Sequence, residues 1–195
     1  MKRISGIILA SLVLLTAVPA FAQQAAYLSG NIGFGFRPDG DISSSTLPFE
    51  NDPAFVLNGA IGIELQQMFR VEGEIGYHVN TADQGGTGVD WTFRTLSFMA
   101  NGYFDIPTQS PVRPYVGAGV GVAVIELEAE SGGTTTSESD GVGAFQLLAG
   151  VGFEISPKAV LNFGYRYFVT SDPTYNGFST EYSSHDFLFG ARFRF

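Results

Sequence analysis

Phe69-Arg70-Val71-Glu72-Gly73-Glu74-Ile75-Gly76-Tyr77-His78-Val79 reads as two interleaved sequences. Phe69, Val71, Ile75, Tyr77 and Val79 share one parity, while Arg70, Glu72, Glu74 and His78 share the other. A period of two belongs to a β-strand, whose successive side chains point to opposite faces. A tilted strand needs about 9–11 residues to cross hydrocarbon, which is the length of this run. Bulky apolar groups on one face and ionised groups on the other suit a strand with lipid outside and a polar lumen inside.

The same pattern recurs through the chain. Leu28 to Phe36 sets Leu28, Ile32, Phe34 and Phe36 against Ser29, Asn31, Gly33 and Gly35. Phe55 to Leu65 sets Phe55, Leu57, Ile61, Ile63 and Leu65 against Val56, Asn58, Ala60, Gly62 and Glu64. Thr92 to Phe104 pairs outward Leu96, Phe98, Ala100 and Phe104 with inward Thr95, Ser97, Met99 and Asn101. Its start is irregular, since Trp91 and Phe93 fall on the opposite parity, and a bulge or an aromatic rim would account for that. Pro114 to Val124 sets alternate valines against Gly117, Gly119 and Gly121. Ala144 to Ile155, Leu161 to Tyr167 and Asp186 to Phe195 complete the set, with Gln146, Glu154, Arg166, Asp186, Arg192 and Arg194 on their inner parity. The expectation is an all-β, eight-stranded antiparallel up-and-down transmembrane β-barrel, an even strand number that leaves both ends on one side.

The connections alternate in length. Gln66-Gln67-Met68 and Ser156-Pro157-Lys158 are short and Asp105 to Arg113 is intermediate. Arg37 to Pro53, Asn80 to Asp90, Glu126 to Gly143 and Thr170 to Ser184 read as long loops rich in Gly, Ser, Thr and Asp. Short periplasmic turns and long outer loops are the rule for such barrels. Gly59 to Val79 and Ala149 to Val169 also align without gaps at an offset of 90, which predicts two hairpins with one turn geometry. A soluble β-sandwich also alternates, but it buries its apolar face against a second sheet.

The N-terminus supplies the route. Lys2 and Arg3 precede an apolar stretch from Ile7 to Val18, and Ala20-Phe21-Ala22 offers a small-x-small cleavage site. That is a secretory signal, too short for a lasting membrane helix. Cleavage after Ala22 is expected, with residues 1–22 the signal peptide and 23–195 the barrel domain. The formal charge of −9 argues against nucleic acid, which needs a basic footprint. With no Cys, neither a disulfide framework nor a thiolate metal site is available.

Three stretches carry a family resemblance: Pro114-Tyr115-Val116-Gly117-Ala118-Gly119-Val120-Gly121, Leu161-Asn162-Phe163-Gly164-Tyr165-Arg166-Tyr167, and Leu188-Phe189-Gly190-Ala191-Arg192-Phe193-Arg194-Phe195. They resemble the small outer-membrane β-barrel family, which covers OmpA-type barrel domains and the porin-like surface antigens of Gram-negative bacteria. The resemblance implies that Phe189, Phe193 and Phe195 form a C-terminal signal read by the barrel-assembly machinery. It also implies periplasmic chaperones on the way, outer-membrane lipids and lipopolysaccharide as surroundings, and a monomer in the outer membrane.

The inner parity holds Glu64, Arg70, Glu72, Glu74, Glu154, Arg166, Arg192 and Arg194, with Asp186 a further acid near the outer rim. Ionised groups in a narrow lumen are costly unless paired, so a salt-bridge network that plugs the barrel is expected. Symmetry about Gln67 puts Glu64 across from Arg70. A charged ion pathway is the alternative. His78 reads as a satisfied lumen residue. His185, beside Ser183 and Ser184 and four residues after Glu181, is the one group with which a lipid A-modifying enzyme would find its base; an interfacial side chain is the blander reading. No catalytic residue, cofactor or dedicated metal ligand set is assigned. The outer loops are acidic, with Asp39, Asp41, Glu50, Asp52, Asp83, Asp90, Glu128, Glu130, Glu138, Asp140, Asp172 and Glu181 against Arg37. Solvated loops account for this, and divalent cations bridging to lipopolysaccharide phosphates are a second reading. Gly85-Gly86 and Gly132-Gly133 precede no helix, so they cradle no phosphate. The expected function is a structural, surface-exposed barrel supporting envelope integrity, with adhesion or ligand contact through the loops. A porin-like conduit is the alternative, and a lipid A enzyme the third.

Overall fold

A computed structural model describes residues 25–36, 53–65, 68–83, 89–131, 134–171, 174–175, 178–179 and 183–195. The strands are β1 (Ala26–Phe36), β2 (Ala54–Leu65), β3 (Phe69–Asp83), β4 (Val89–Asp105), β5 (Val112–Ser131), β6 (Thr134–Ser156) and β7 (Ala159–Thr170). A two-residue ribbon, β8 (Thr174–Tyr175) with β9 (Phe178–Ser179), precedes the last long strand, β10 (Ser183–Arg194). The eight long strands close in the order β1-β10-β7-β6-β5-β4-β3-β2. Every pairing is antiparallel, including the seam, which runs from Tyr27↔Arg194 to Phe36↔His185. At the foot of the seam the Phe195 amide donates to the Ala26 carbonyl at 3.0 Å.

The two parities of each strand have opposite fates. Ile75, Val120 and Phe187 are more than half exposed, whereas Arg166 and Asp186 are fully buried. A water-soluble domain places these classes the other way round. Apolar groups outside and ions inside, on one closed sheet with no second sheet packed on it among the described residues, is the arrangement lipid requires. This excludes the β-sandwich.

Several boundaries differ from the sequence reading. The stretch Glu126 to Gly143 is not a loop: β5 and β6 continue as a ladder from Val124↔Gly141 out to Ser131↔Thr134. β3 and β4 likewise extend to Asp83↔Asp90, inside the stretch read as the Asn80 to Asp90 loop. Beyond the membrane neither face must be apolar, so the period-two signal fades while the strand continues. The irregular start of β4 is not a bulge, because its register with β3 and β5 is unbroken from Val89 to Asp105. Glu64↔Arg70 and Glu154↔Val160 keep the offset of 90, yet the second hairpin differs at its tip, where the register shifts between Glu154 and Ser156. Ala20, Ala22, Arg37 and the acids of residues 37–52 lie outside the described residues.

Close approach of the wall explains one class of glycine. A Cβ on inward-facing Gly121 would collide with the Phe98 carbonyl oxygen and the Met99 backbone and sulfur, whereas one on outward-facing Gly73 meets nothing within 4 Å. Gly121→Val is therefore expected to destabilise the folded barrel by about 1–3 kcal/mol through overpacking, while Gly73→Val is neutral or stabilising. Urea titration in lipid vesicles, read by heat-modifiable gel migration, compares the two; equal effects would refute this account of the wall.

Candidate functional site

The lumen holds two linked polar clusters. Near the short turns, Arg70 grips Asp105 with both arms of its guanidinium, Nε to Oδ2 at 2.8 Å and Nη2 to Oδ1 at 3.0 Å. Its third nitrogen, Nη1, donates to Glu72 Oε1 at 3.2 Å, an oxygen that also accepts from the Tyr27 hydroxyl at 2.7 Å. Tyr103 lies under the same guanidinium, with its ring centroid 4.2 Å from Cζ. A planar ion stacked on a ring and held in a fork is the favoured way to bury Arg. Arg194 Nε donates to Glu64 at 2.9 Å, and its Nη1 donates to Glu154 at 2.7 Å. Arg113 approaches the other Glu154 oxygen at 3.1 Å. Arg192 lies between Glu64 and Asp105 at 3.6 and 3.9 Å, too far for hydrogen bonds but close enough to share their charge.

Toward the long connections, Arg166 organises the second cluster. It donates from Nε to Asp186 at 2.7 Å, from Nη1 to Glu74 at 3.2 Å and from Nη2 to His78 Nε2 at 2.7 Å. A guanidinium can only donate, so His78 Nε2 accepts and the ring proton sits on Nδ1. The 3.2 Å approach of His78 Nε2 to Asp186 is then two acceptors gathered by one cation, not a hydrogen bond. Ser184 donates to the other Asp186 oxygen. Asn101 bridges Glu74 at 3.1 Å and Gln146 at 2.7 Å. Beside the ions, Met99, Ala123, Ile125, Val142, Ala144 and Phe168 form a small apolar core inside the barrel.

All eight inward charges singled out from the sequence lie in these clusters, and cross-strand register places Glu64 opposite Arg70. Sequence reading missed Asp105, Arg113, Tyr27, Tyr103 and Tyr115, whose ring centroid lies 5.2 Å from Arg70 Cζ. The signal for Asp105 was present, since it continues the odd-numbered inner series of β4. It stands at the start of the Asp105 to Arg113 stretch, which reads as a connection. Arg113 was lost the same way, one residue before Pro114.

His185 faces lipid, with Nδ1 2.6 Å from the Tyr165 hydroxyl. Ser184 points into the lumen, on the opposite side of the wall, so these two do not form a nucleophile–base pair. Glu181 lies outside the described residues. Among the described residues no group of three or more His, Asp or Glu could hold a metal ion. Phe189 and Phe193 are outward residues of β10, and Phe195 follows it with 69% of its surface exposed.

The chain matches the family model described as the outer membrane protein β-barrel domain over residues 8–195. No curated protein matches it in sequence. Among solved structures it is similar to Neisserial surface protein A, with a TM-score of 0.61 and 19% identity, covering 88% of this chain and 97% of that one. It is similar to a major outer membrane protein of Thermus thermophilus, with TM-score 0.58, 14% identity, and 88% and 100% coverage. Ail, the attachment invasion locus protein of Yersinia pestis, gives 0.53 at 16% identity, with 88% and 97% coverage. At these identities the likeness is one of fold.

Removing Arg166 would strand two buried carboxylates. Arg166→Met is expected to cost about 3–5 kcal/mol of folding stability in vesicles, as breaking a buried pair does. Adding Glu74→Gln and Asp186→Asn should recover most of that loss. If the triple variant is no more stable than the single one, the cluster is not held by charge pairing.

Proposed function

Since this chain belongs to the outer-membrane protein β-barrel family, we propose that it is a closed, surface-exposed envelope protein whose contacts are made at its loop end, not a pore or an enzyme. The observation that carries this reading is the filled lumen: Arg70, Arg166, Arg192, Glu72, Glu74 and Asp186 are all buried inside the wall. An eight-stranded barrel has an interior just wide enough for side chains, and here the side chains that fill it grip one another. The separation of Ser184 from His185 across the wall favours a non-catalytic role.

On this reading the signal peptide is removed after Ala22 and the assembly machinery recognises Phe189, Phe193 and Phe195. The mature protein remains a monomer among outer-membrane lipids and lipopolysaccharide. The loop end points outward, and the ladder of β5 and β6 carries contact surface away from the membrane. β6 pairs with β7 only as far as Ala144↔Thr170, so among the described residues no strand covers its far side from Thr134 to Val142. The residues of this end are acidic. Ail was crystallised with the heparin analogue sucrose octasulfate, a polyanion, whereas the charge here suits a cationic partner.

Two experiments test the reading. The chain has no Cys, so a single introduced thiol reports its own side of the membrane. Ser137→Cys is expected to react with an impermeant maleimide on intact cells, and Gln109→Cys only after the outer membrane is opened; the reverse pattern would invert the barrel. In planar bilayers the purified protein is expected to give no steady conductance, and a stable, sizeable step would restore the conduit.

A further inference from the structure

At the loop end β6 outruns one of its two neighbours. Its ladder with β5 continues unbroken from Val124↔Gly141 to Ser131↔Thr134, whereas its ladder with β7 begins only at Ala144↔Thr170. One further step is closed by Ser171. Its amide donates to the Gly143 carbonyl at 2.8 Å, and its hydroxyl accepts from the Gly143 amide at 3.0 Å. The β8–β9 ribbon that follows forms a sheet of its own. Among the described residues, β6 from Thr134 to Val142 therefore has a strand on one side only.

Parity says which backbone groups face the open side. In an antiparallel ladder alternate residues turn both N–H and C=O to the same neighbour. Gly143 turns them to β7, so Thr135, Ser137, Ser139 and Gly141 turn theirs to the open side. The chain satisfies one of these groups itself: the Gly141 amide donates to Asp140 Oδ1 at 2.9 Å, a stand-in for a missing strand. Edges are ordinarily protected by Lys, Pro or a bulge. Thr134 to Val142 contains neither Lys nor Pro, and its register with β5 is unbroken. What this end does carry is negative charge. Between Ile125 and Gly143 stand Glu126, Glu128, Glu130, Glu138 and Asp140, with no Lys or Arg. Register and parity put the three acids of β5 on one face of the sheet and the two of β6 on the other, so each face is acidic.

We propose that this edge takes up an extended, basic peptide segment of another protein, which adds to β6 as a further strand. Two observations choose that occupant. The open row alternates donors and acceptors at strand spacing, and another extended main chain matches it along its whole length. The acids then favour Lys or Arg at every second position of the added strand, on the face that holds Glu138 and Asp140. A second copy of this edge would fit the hydrogen bonds but set those acids beside their own kind, and like charges opposite one another destabilise a ladder. The proposal deepens the surface reading above, and the placement of the edge outside the cell rests on that reading.

Hydrogen exchange of the folded mature protein in zwitterionic micelles, followed amide by amide by NMR, tests this. In the free protein Ser137 and Ser139 should exchange fast, while Glu138 and Asp140, whose amides turn to β5, exchange slowly. A short peptide alternating Lys with Thr or Val should slow Ser137 and Ser139 about tenfold or more at saturation. The same peptide with Glu in place of Lys should leave them fast. A Lys peptide methylated on two adjacent central amides keeps its charge but has both edges blocked, and it should bind about tenfold more weakly. Ser139→Pro removes an edge amide without touching the β5 ladder and should weaken the Lys peptide by a similar factor, with unheated gel migration confirming that the variant is folded. Glu138→Gln combined with Asp140→Asn should weaken it about three- to tenfold. Slow Ser137 and Ser139 in the free protein would mean that this chain, or at high concentration a second copy, already covers the edge, and would overturn the proposal. Equal binding of the methylated peptide would reduce the contact to charge alone and overturn strand addition. Equal binding of the Glu peptide would overturn the choice of a basic partner. None of these readings depends on which way the barrel faces. Labelling of Ser137 from the periplasmic side therefore sinks the surface reading, whereas absence of protection by the Lys peptide sinks the edge and leaves that reading standing.

Discussion

A strand laid in hydrocarbon can place its amide hydrogens and carbonyls only on another strand. Each unpaired group there costs several kcal/mol, so an open sheet edge cannot persist in the bilayer core. The seam between β1 and β10 is the consequence: ten paired positions, from Tyr27↔Arg194 to Phe36↔His185, turn a meander into a cylinder. Once it closes, every residue within the membrane is either outside with the lipid or inside with its neighbours. The surplus of Phe, Val and Ile on one parity and the charges on the other both follow from that division.

Closure then creates a second demand. Eight strands leave no room for bulk water in the lumen, so ions placed there must neutralise and hydrogen-bond one another. The chain meets this with guanidiniums, which are planar and offer several donors in fixed directions. Arg70 clasps one acid with two nitrogens and reaches a second with the third, and Arg166 gathers two carboxylates and a histidine. Tyr103 and Tyr115 lie against Arg70, and Phe168 of the small apolar core lies 5.7 Å from the Arg166 guanidinium. The wall pays for this crowding with glycine wherever a lumen side chain lies against the backbone, as at Gly62 beneath Tyr27 and Glu72.

Legibility in the sequence tracked how strongly each region feels the lipid. Within the membrane a one-residue slip would turn every Phe inward, so the alternation of β3 or β7 is strict and could be read directly. Past the membrane, in Thr134 to Gly143, either face tolerates Ser, Thr and Glu, and the ladder carried no such mark. At the short turns Asp105 and Arg113 stand at the two ends of a stretch that reads as a connection, although both belong to the inner series. Ser184 and His185 are adjacent in sequence and suggested a joint role, but adjacent strand residues point to opposite sides, and the two never meet.

What the sequence determined by itself is the sidedness of the chain: strand number, parity and the identity of the inward charges, because a period of two is a local property of the backbone. The partners were decided only by the closed barrel. Arg166 meets Glu74 across 92 residues and Arg194 meets Glu64 across 130, contacts that depend on shear and curvature, which no single strand encodes. The pairing of Tyr165 with His185 likewise exists only once β7 and β10 are laid in register. A local repeat says which way each side chain points, whereas closure decides what it finds there.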